Sequence, residues 1–318
     1  MRITALRGVC LTLALSGCSA DEPKPKDSDA GDRTADSDTD PVTDTDSDTP
    51  EDTDDTDPPT AGYRAISAGE KLTCVLDEVG EAHCFSSSNF TFPAPPSGPF
   101  VDIAAGWATA CVVGEDGAID CWGCDWIDGP CTDIPAGNNW VSVEGAQDYF
   151  CAQDDQGKVK CWGQNLGFQT PQTVYVDYAV GITGFIGIKA NGNADGDAET
   201  ADVDVPATMV GAGRSQACVV GLADGVTHCW WMPGAEPPNS GVVALDSFDS
   251  EMCWIDDQGH VGCVNDMPTV ADGFDPAVEV FTSVSAGQEH ACGLTEDGHG
   301  YCWPANGRVE TSVPSWPL

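Results

Sequence analysis

Basic residues are scarce in this 318-residue chain: 12 Lys and Arg stand against 52 Asp and Glu, for a formal net charge of −40. A surface so poor in cations cannot neutralise phosphates, which argues against nucleic acid or anionic lipid as a partner. Histidine is scarce too. The five are His83, His228, His260, His290 and His299, dispersed along the chain. No nucleophile elbow, phosphate loop or paired-His metal motif is present. Carboxylates are so abundant that no two stand out as an acid and base pair. The expectation is a protein that is not an enzyme and needs no cofactor. Helical periodicity is absent, and no apolar run is long enough to span a bilayer.

What the chain does have is cysteine in a fixed rhythm. Cys74/Cys84, Cys111/Cys121, Cys151/Cys161, Cys218/Cys229, Cys253/Cys263 and Cys292/Cys302 are pairs separated by ten residues, or eleven for Cys218/Cys229. Gly80, Gly117, Gly157, Gly259 and Gly298 each lie six residues after a first cysteine, and Gly225 fills the place in the longer pair. A further copy keeps the frame without cysteines, with Ile186 and Gly196 at their positions and Gly192 in the turn. The chain is a seven-fold repeat.

Each unit reads as a hairpin. With Cys111 opposite Cys121, three residues form the loop, and Gly117 supplies the left-handed position that such a loop requires. The Cys218 unit has a four-residue loop, Leu222 to Gly225. Opposed residues on antiparallel strands lie close enough for a bridge. Each pair is therefore expected to be a disulfide within its own unit. Metal thiolates fit poorly, since zinc ligands cluster at shorter spacings.

The N-terminus points to export. Arg2 and Arg7 precede a short apolar segment, and Leu15-Ser16-Gly17-Cys18 resembles a bacterial lipobox. Residues 1–18 are expected to be a lipoprotein signal, with Cys18 lipidated. That implies a bacterial cell envelope location, at the outer membrane or cell surface, with the membrane met only through the lipid. Disulfides suit that compartment. With Cys10 in the signal and Cys18 lipidated, fourteen of the sixteen cysteines remain. They are six hairpin pairs plus Cys124 and Cys131, an even count that leaves no thiol over.

Residues 19–62 are Asp, Thr, Ser and Pro, with sixteen acids against Lys24, Lys26 and Arg33, so −13. Such a stretch cannot bury enough surface to order itself and reads as a disordered acidic tether. The folded part is then residues 63–318. It keeps seven bases and thirty-six acids, so −29.

Apolar strands ending in small-residue corners open the units, as in Val101-Asp-Ile-Ala-Ala-Gly106. A hairpin follows, then a Pro- and Gly-rich link. Three short strands repeated seven times point to an all-β, seven-bladed β-propeller with disulfide-stapled blades. Trp122, Trp162, Trp230 and Trp303 directly follow second cysteines and read as packing between blades. Residues 284–303 carry Ala-Gly, Cys, Asp-Gly and Cys-Trp in order. They resemble the repeat of the regulator of chromosome condensation family, above all its short cysteine-paired bacterial version. The resemblance covers nearly all of residues 63–310. It implies a seven-bladed propeller closed by pairing the chain's two ends. It also implies three-stranded blades, as in a bacterial β-lactamase-inhibiting propeller.

Residues just after each corner occupy equivalent places on one face, yet differ from unit to unit. Trp107, Asp148, Tyr149, Arg214, Phe248, Asp249 and Gln288 are the expected binding face. Related bacterial propellers grip proteins with such a face, so a protein partner is expected. A cell-envelope polysaccharide is the alternative, and a propeller lyase or lactonase the enzymatic one. The Cys124/Cys131 loop breaks the repeat and reads as an extension of that face. Asn191, Asn193, Asp195, Asp197, Glu199 and Asp202 lie at calcium-loop spacing around Gly196. That loop coincides with the hairpin of the fourth unit, so the two readings compete.

Overall fold

The computed structural model describes residues 62–86, 91–124, 129–164, 166, 173–182, 184–196, 206–214, 216–230, 237–264, 279–288 and 290–304. The lipobox, the acidic segment and residues 305–318 lie outside them.

The fold is a seven-bladed β-propeller. Each blade is a three-stranded antiparallel sheet of consecutive strands. The blades span residues 63–86, 100–122, 140–163, 175–196, 207–230, 242–263 and 281–304. In six blades a second-strand cysteine stands directly opposite a third-strand cysteine. The bridges are Cys74–Cys84, Cys111–Cys121, Cys151–Cys161, Cys218–Cys229, Cys253–Cys263 and Cys292–Cys302. Cys124–Cys131, in the link between blades 2 and 3, is the seventh, so all fourteen of these cysteines are bridged and no bridge joins two blades. In the fourth blade Ile186 faces Gly196 at the same place. Loop lengths follow the cysteine spacing. Gly114 N–H donates to Ala118 across three residues, and Gly221 N–H to Val226 across four.

There is no single core. Buried side chains form seven clusters, one at each seam between blades. Leu72, Cys74 and Leu76 of blade 1 meet Phe100, Ile103 and Val112 of blade 2, with Cys84 packed against them. Ala68 and Val75 of blade 1 meet Cys292 and Cys302 of blade 7. The disulfides are thus part of the seam packing as well as staples. Cys161 joins the seam between blades 3 and 4, Cys229 that between blades 5 and 6, and Cys263 that between blades 6 and 7. A three-stranded blade has two faces, and each is apolar because each is covered by a neighbour. The first strands of successive blades pack on one another around the whole circle, so they form the inner ring.

The expected pairing of the chain's two ends reaches beyond the described residues. Among the described residues no strand crosses between blades, and blade 7 meets blade 1 as any blade meets the next. Two kinds of backbone bond recur at the seams. At the hairpin end, a first-strand amide donates to the preceding blade's turn glycine. Phe100 bonds Gly80, Trp140 bonds Gly117, Tyr175 bonds Gly157, and Tyr63 closes the circle on Gly298 at 2.7 Å. At the corner end, Glu70 N–H donates to Gly106 and Gln288 N–H to Gly69. The turn glycines thus serve two ends at once. Gly117 has φ of 76°, and a Cβ there would sit 2.3 Å from the carbonyl oxygen of Asn138.

Side chains reinforce the inner ring. Ser67 accepts from Ala105 N–H, Asp246 from Ala286 N–H and Ser285 from Ala68 N–H, each between neighbouring blades. Trp303 and Trp162 lie in the seams between blades 6 and 7 and between blades 2 and 3, each also beside a ring of its own blade, Phe281 and Phe150.

The two ends of the propeller differ in character. Every first strand carries a bulge after its first residue, at Arg64, Val101, Val141, Val176, Thr208, Val243 and Thr282. Every exposed large hydrophobic among the described residues lies at this hairpin end. Val101, Val141, Val176 and Val243 are bulge residues. Val174 and Val280 just precede first strands, and Val79 and Leu222 sit on hairpin turns.

A polar ring at the corner face

Counting back four residues from each first cysteine gives one residue per blade: Glu70, Trp107, Gln147, Ile182, Arg214, Asp249 and Gln288. Each lies in the turn between a first and a second strand, and therefore at the corner end near the inner ring. Their side chains converge across blades. Gln147 of blade 3 donates Nε2–H to Glu70 Oε2 of blade 1 at 3.0 Å, reaching past blade 2. Gln288 of blade 7 donates to Asp249 Oδ2 of blade 6 at 2.9 Å. Arg214 of blade 5 pairs with the other oxygen of the same carboxylate. A bond that skips a blade is possible only because seven corners crowd around one axis.

The electrostatics of the ring are layered. Glu70 and Asp249 are sunk, with side chains 10% and 12% exposed, while Lys71 and Arg214 are 36% and 48% exposed. Burial pushes the Glu70 carboxyl above its ordinary range, and Asp249 nearby adds to the rise. Gln147, Lys71 and Trp107 pull it partly back. A visitor to this face therefore meets a guanidinium, an ammonium and the half-buried Trp107 before it meets a carboxylate. The backbone contributes too. Asp249 has φ of 51°, the only positive value at a non-glycine among the described residues. Strain of this kind persists where the surroundings over-determine a conformation. Here Phe248 occupies the corner glycine position and is buried, and Asp249 takes the left-handed turn that follows.

This geometry sorts the expected binding residues. Trp107, Arg214, Asp249 and Gln288 belong to the ring, and Asp148 is its half-buried neighbour. Tyr149 and Phe248 are corrections: they are 1% and 4% exposed and cannot offer rings to a partner. Tyr149 lies two residues before Cys151, on the strand face shared with the cysteine, and its hydroxyl bonds the carbonyl of Gly181 in blade 4. Burial raises its pKa. Phe248 belongs to the seam between blades 6 and 7. Glu70 and Gln147 also follow corners and join the ring, although the candidate set above did not include them. The cysteines themselves stay out of the site. Cys84, Cys121, Cys161, Cys229, Cys263 and Cys302 lie on third strands with their sulfurs in bridges, so they offer no thiolate to a metal or a substrate.

Comparison with known proteins fits this picture. Residues 281–303 match the model of the regulator of chromosome condensation (RCC1) repeat. That is the seventh blade, whose corner, turn and cysteine signals are all intact. No curated protein sequence matches the chain. Among solved structures, the ectodomain of the Physcomitrella patens receptor kinase CR4 is similar at 18% identity and a TM-score of 0.64. It covers 77% of this chain and 74% of its own. The CRINKLY WD40 ectodomain of the Arabidopsis thaliana receptor kinase ACR4 is similar at 15% identity and a TM-score of 0.64, over 81% of this chain and 100% of its own. Prp20p from Saccharomyces cerevisiae aligns at 15% identity over 76% of this chain and 72% of its own, with a TM-score of 0.41. At such identities the likeness to the two receptor ectodomains shows the fold alone.

Two other expectations concern loops. The Cys124–Cys131 loop turns into a one-turn helix, Gly129–Thr132, that packs beside the third strand of blade 3. The carbonyl of Pro130 accepts the indole N–H of Trp162 at 2.9 Å. The loop thus satisfies a buried donor at a seam; its first cysteine, Cys124, lies beside Thr109 of the blade 2 corner turn, and residues 125–128 lie outside the described residues. The calcium spacing yields to the hairpin. Asn191 caps its own turn by accepting from Asn193 N–H, and Asp195 pairs with Lys189 at 3.1 Å. Gly196 sits in the strand ladder opposite Ile186, where a calcium loop needs its sharp turn. Asp197, Glu199 and Asp202 lie outside the described residues.

Proposed function

We propose that this chain is an exported, lipid-anchored binding module that grips a protein partner with the corner ring and carries out no chemistry of its own. One observation carries the reading. Seven equivalent positions converge on one face and bear a varied set of side chains, in a fold where scaffold positions repeat. Arg214, Lys71 and the half-buried Trp107 lie outermost, and Trp and Arg are the residue types that dominate protein interfaces. Seven disulfides fit an oxidising compartment, and no described helix is long and apolar enough to cross a membrane. In this reading lipid on Cys18 is the anchor and residues 19–62 are the tether.

Affinity capture from cell envelope and culture medium tests the reading, using the wild-type chain beside a Trp107→Ala/Arg214→Ala variant. A protein held by the wild type and lost by the variant is the expected result. Equal capture by both would sink the ring reading. A polysaccharide retained instead of a protein would favour the envelope-polymer alternative. Anchoring is tested by membrane fractionation of Cys18→Ala, which is expected to leave the membrane fraction.

A further inference from the structure

We propose that the hairpin end of the propeller is a second docking face, built for a basic amphipathic segment of another protein. This face is separate from the corner ring, at the other end of every blade. The first observation is the segregation of exposed apolar surface. Val101, Val141, Val176 and Val243 hold the bulge position in four blades and are 45%, 47%, 63% and 48% exposed. The other four exposed large hydrophobics share this end, and the corner end has none among the described residues. Isolated exposed valines are ordinary, but their confinement to one end of a ring makes a patterned surface.

The second observation is charge. Exposed carboxylates stand on the hairpin turns around these valines, at Glu78, Asp116, Asp155, Asp224, Asp257 and Asp297. The cations at this end are fewer. Arg64 is bonded to the carbonyl of Phe100, Lys189 is paired with Asp195, and Lys158 is exposed on the blade 3 turn. An apolar ring studded with carboxylates selects a partner that is apolar along one side and cationic along the other. The same charge disfavours the two other occupants. Residues 19–62 are acidic, and a second copy would set carboxylates against carboxylates.

Thr208 and Thr282 already hold the bulge position in blades 5 and 7, so Val→Thr there keeps a β-branched residue that the fold accepts. The test therefore uses the full chain and the fourfold variant Val101→Thr/Val141→Thr/Val176→Thr/Val243→Thr. The probe is a synthetic Leu/Lys amphipathic peptide, with a Ser/Lys peptide of equal charge as control, read by fluorescence anisotropy at physiological salt. The wild type is expected to hold the Leu/Lys peptide about tenfold more tightly than the control, and the variant is expected to lose that ratio. Cross-links from the bound peptide should fall on the hairpin turns. Equal ratios for both proteins, or cross-links on the corner loops, would overturn the proposal. So would a wild-type dimer that the fourfold variant dissolves, since the occupant would then be a second copy. A melting curve of the variant that overlays the wild type separates lost binding from lost fold.

Discussion

The amide of Tyr63 donates to the carbonyl of Gly298, joining the first described strand to the last hairpin across 235 residues of chain at 2.7 Å. The bond is of the same kind as those from Phe100 to Gly80 and from Trp140 to Gly117. Among the described residues the propeller thus closes with the seam it uses elsewhere. That makes Gly298 sensitive in two ways. Its φ is 80°, and a Cβ would lie 2.7 Å from the Cα of Gly62 and 2.9 Å from the nitrogen of Tyr63. Gly225 has a comparable φ of 64° with nothing within 4 Å.

Substitution to alanine at these two sites separates the two demands. Gly225→Ala incurs only the left-handed backbone term, about 1 kcal/mol. Gly298→Ala must also push the seam apart and is expected to lose about 2–3 kcal/mol or more. Chemical denaturation of both variants checks this. Equal losses would mean that the seam tolerates the methyl group.

His290 predicts a pH dependence at the same closure. It bonds Thr73 Oγ1 of blade 1 at 2.6 Å, and burial pushes its pKa down from 6.5 to about 4. The unfolded chain therefore takes up the proton first as pH falls. The stabilisation is whole above about 6.5, declines as pH drops toward about 4, and is lost below it. The size of the loss is about 3 kcal/mol. His290→Asn should flatten that part of the stability curve, measured by denaturant titration between those pH values. A wild-type slope that survives in the variant would assign it to other groups.

Blade 4 should open most readily. It has Ile186 and Gly196 where the six other blades have a bridge. A bridge closing an eleven-residue loop contributes about 3 kcal/mol by the chain-entropy estimate. Hydrogen exchange followed by mass spectrometry is expected to show residues 184–189 exchanging ahead of the central strands of other blades. Uniform protection around the ring would contradict this.

Asp249 carries a backbone cost together with an ion pair. Asp249→Gly relieves the left-handed conformation but removes the acceptor of Arg214 and Gln288, whereas Asp249→Ala removes the acceptor and keeps the strain. The alanine variant is expected to be less stable than the glycine variant by about 1 kcal/mol. Thermal melts of the two compare them directly, and the reverse order would show that φ at 249 relaxes without cost.

Much of the architecture was legible because its signals are covalent or steric. Cys111 and Cys121 set a register, and Gly117 marks the turn between them. The second requirement on that glycine, contact with Asn138 just ahead of the next blade's first strand, lies in tertiary structure and leaves no separate mark in the sequence. The same holds for the seam role of Cys84, Cys161, Cys229 and Cys263, whose spacing announces a bridge but not the neighbouring blade each packs against. The binding face was half legible. Tyr149 and Phe248 vary among units, and that variation resembled a recognition surface. It comes instead from fitting different neighbours at each seam. Parity would have flagged Tyr149, since a residue two before a buried cysteine shares its face. Glu70 and Gln147 stand just after the corners of blades 1 and 3, but only the cross-blade bond between them shows that they act together. The bond from Tyr63 to Gly298 could not be read, because a seam that pairs blade faces leaves no periodic trace.

The central claim is that the corner ring recognises a partner. Its most direct test is an alanine scan of Glu70, Trp107, Gln147, Ile182, Arg214, Asp249 and Gln288 against the captured partner, read as Kd by calorimetry. The account predicts that Trp107→Ala and Arg214→Ala each weaken binding by about 2 kcal/mol, roughly thirtyfold, while the fourfold Val→Thr variant of the hairpin end binds this partner unchanged. Losses confined to the hairpin end, or spread evenly over neither face, would contradict it.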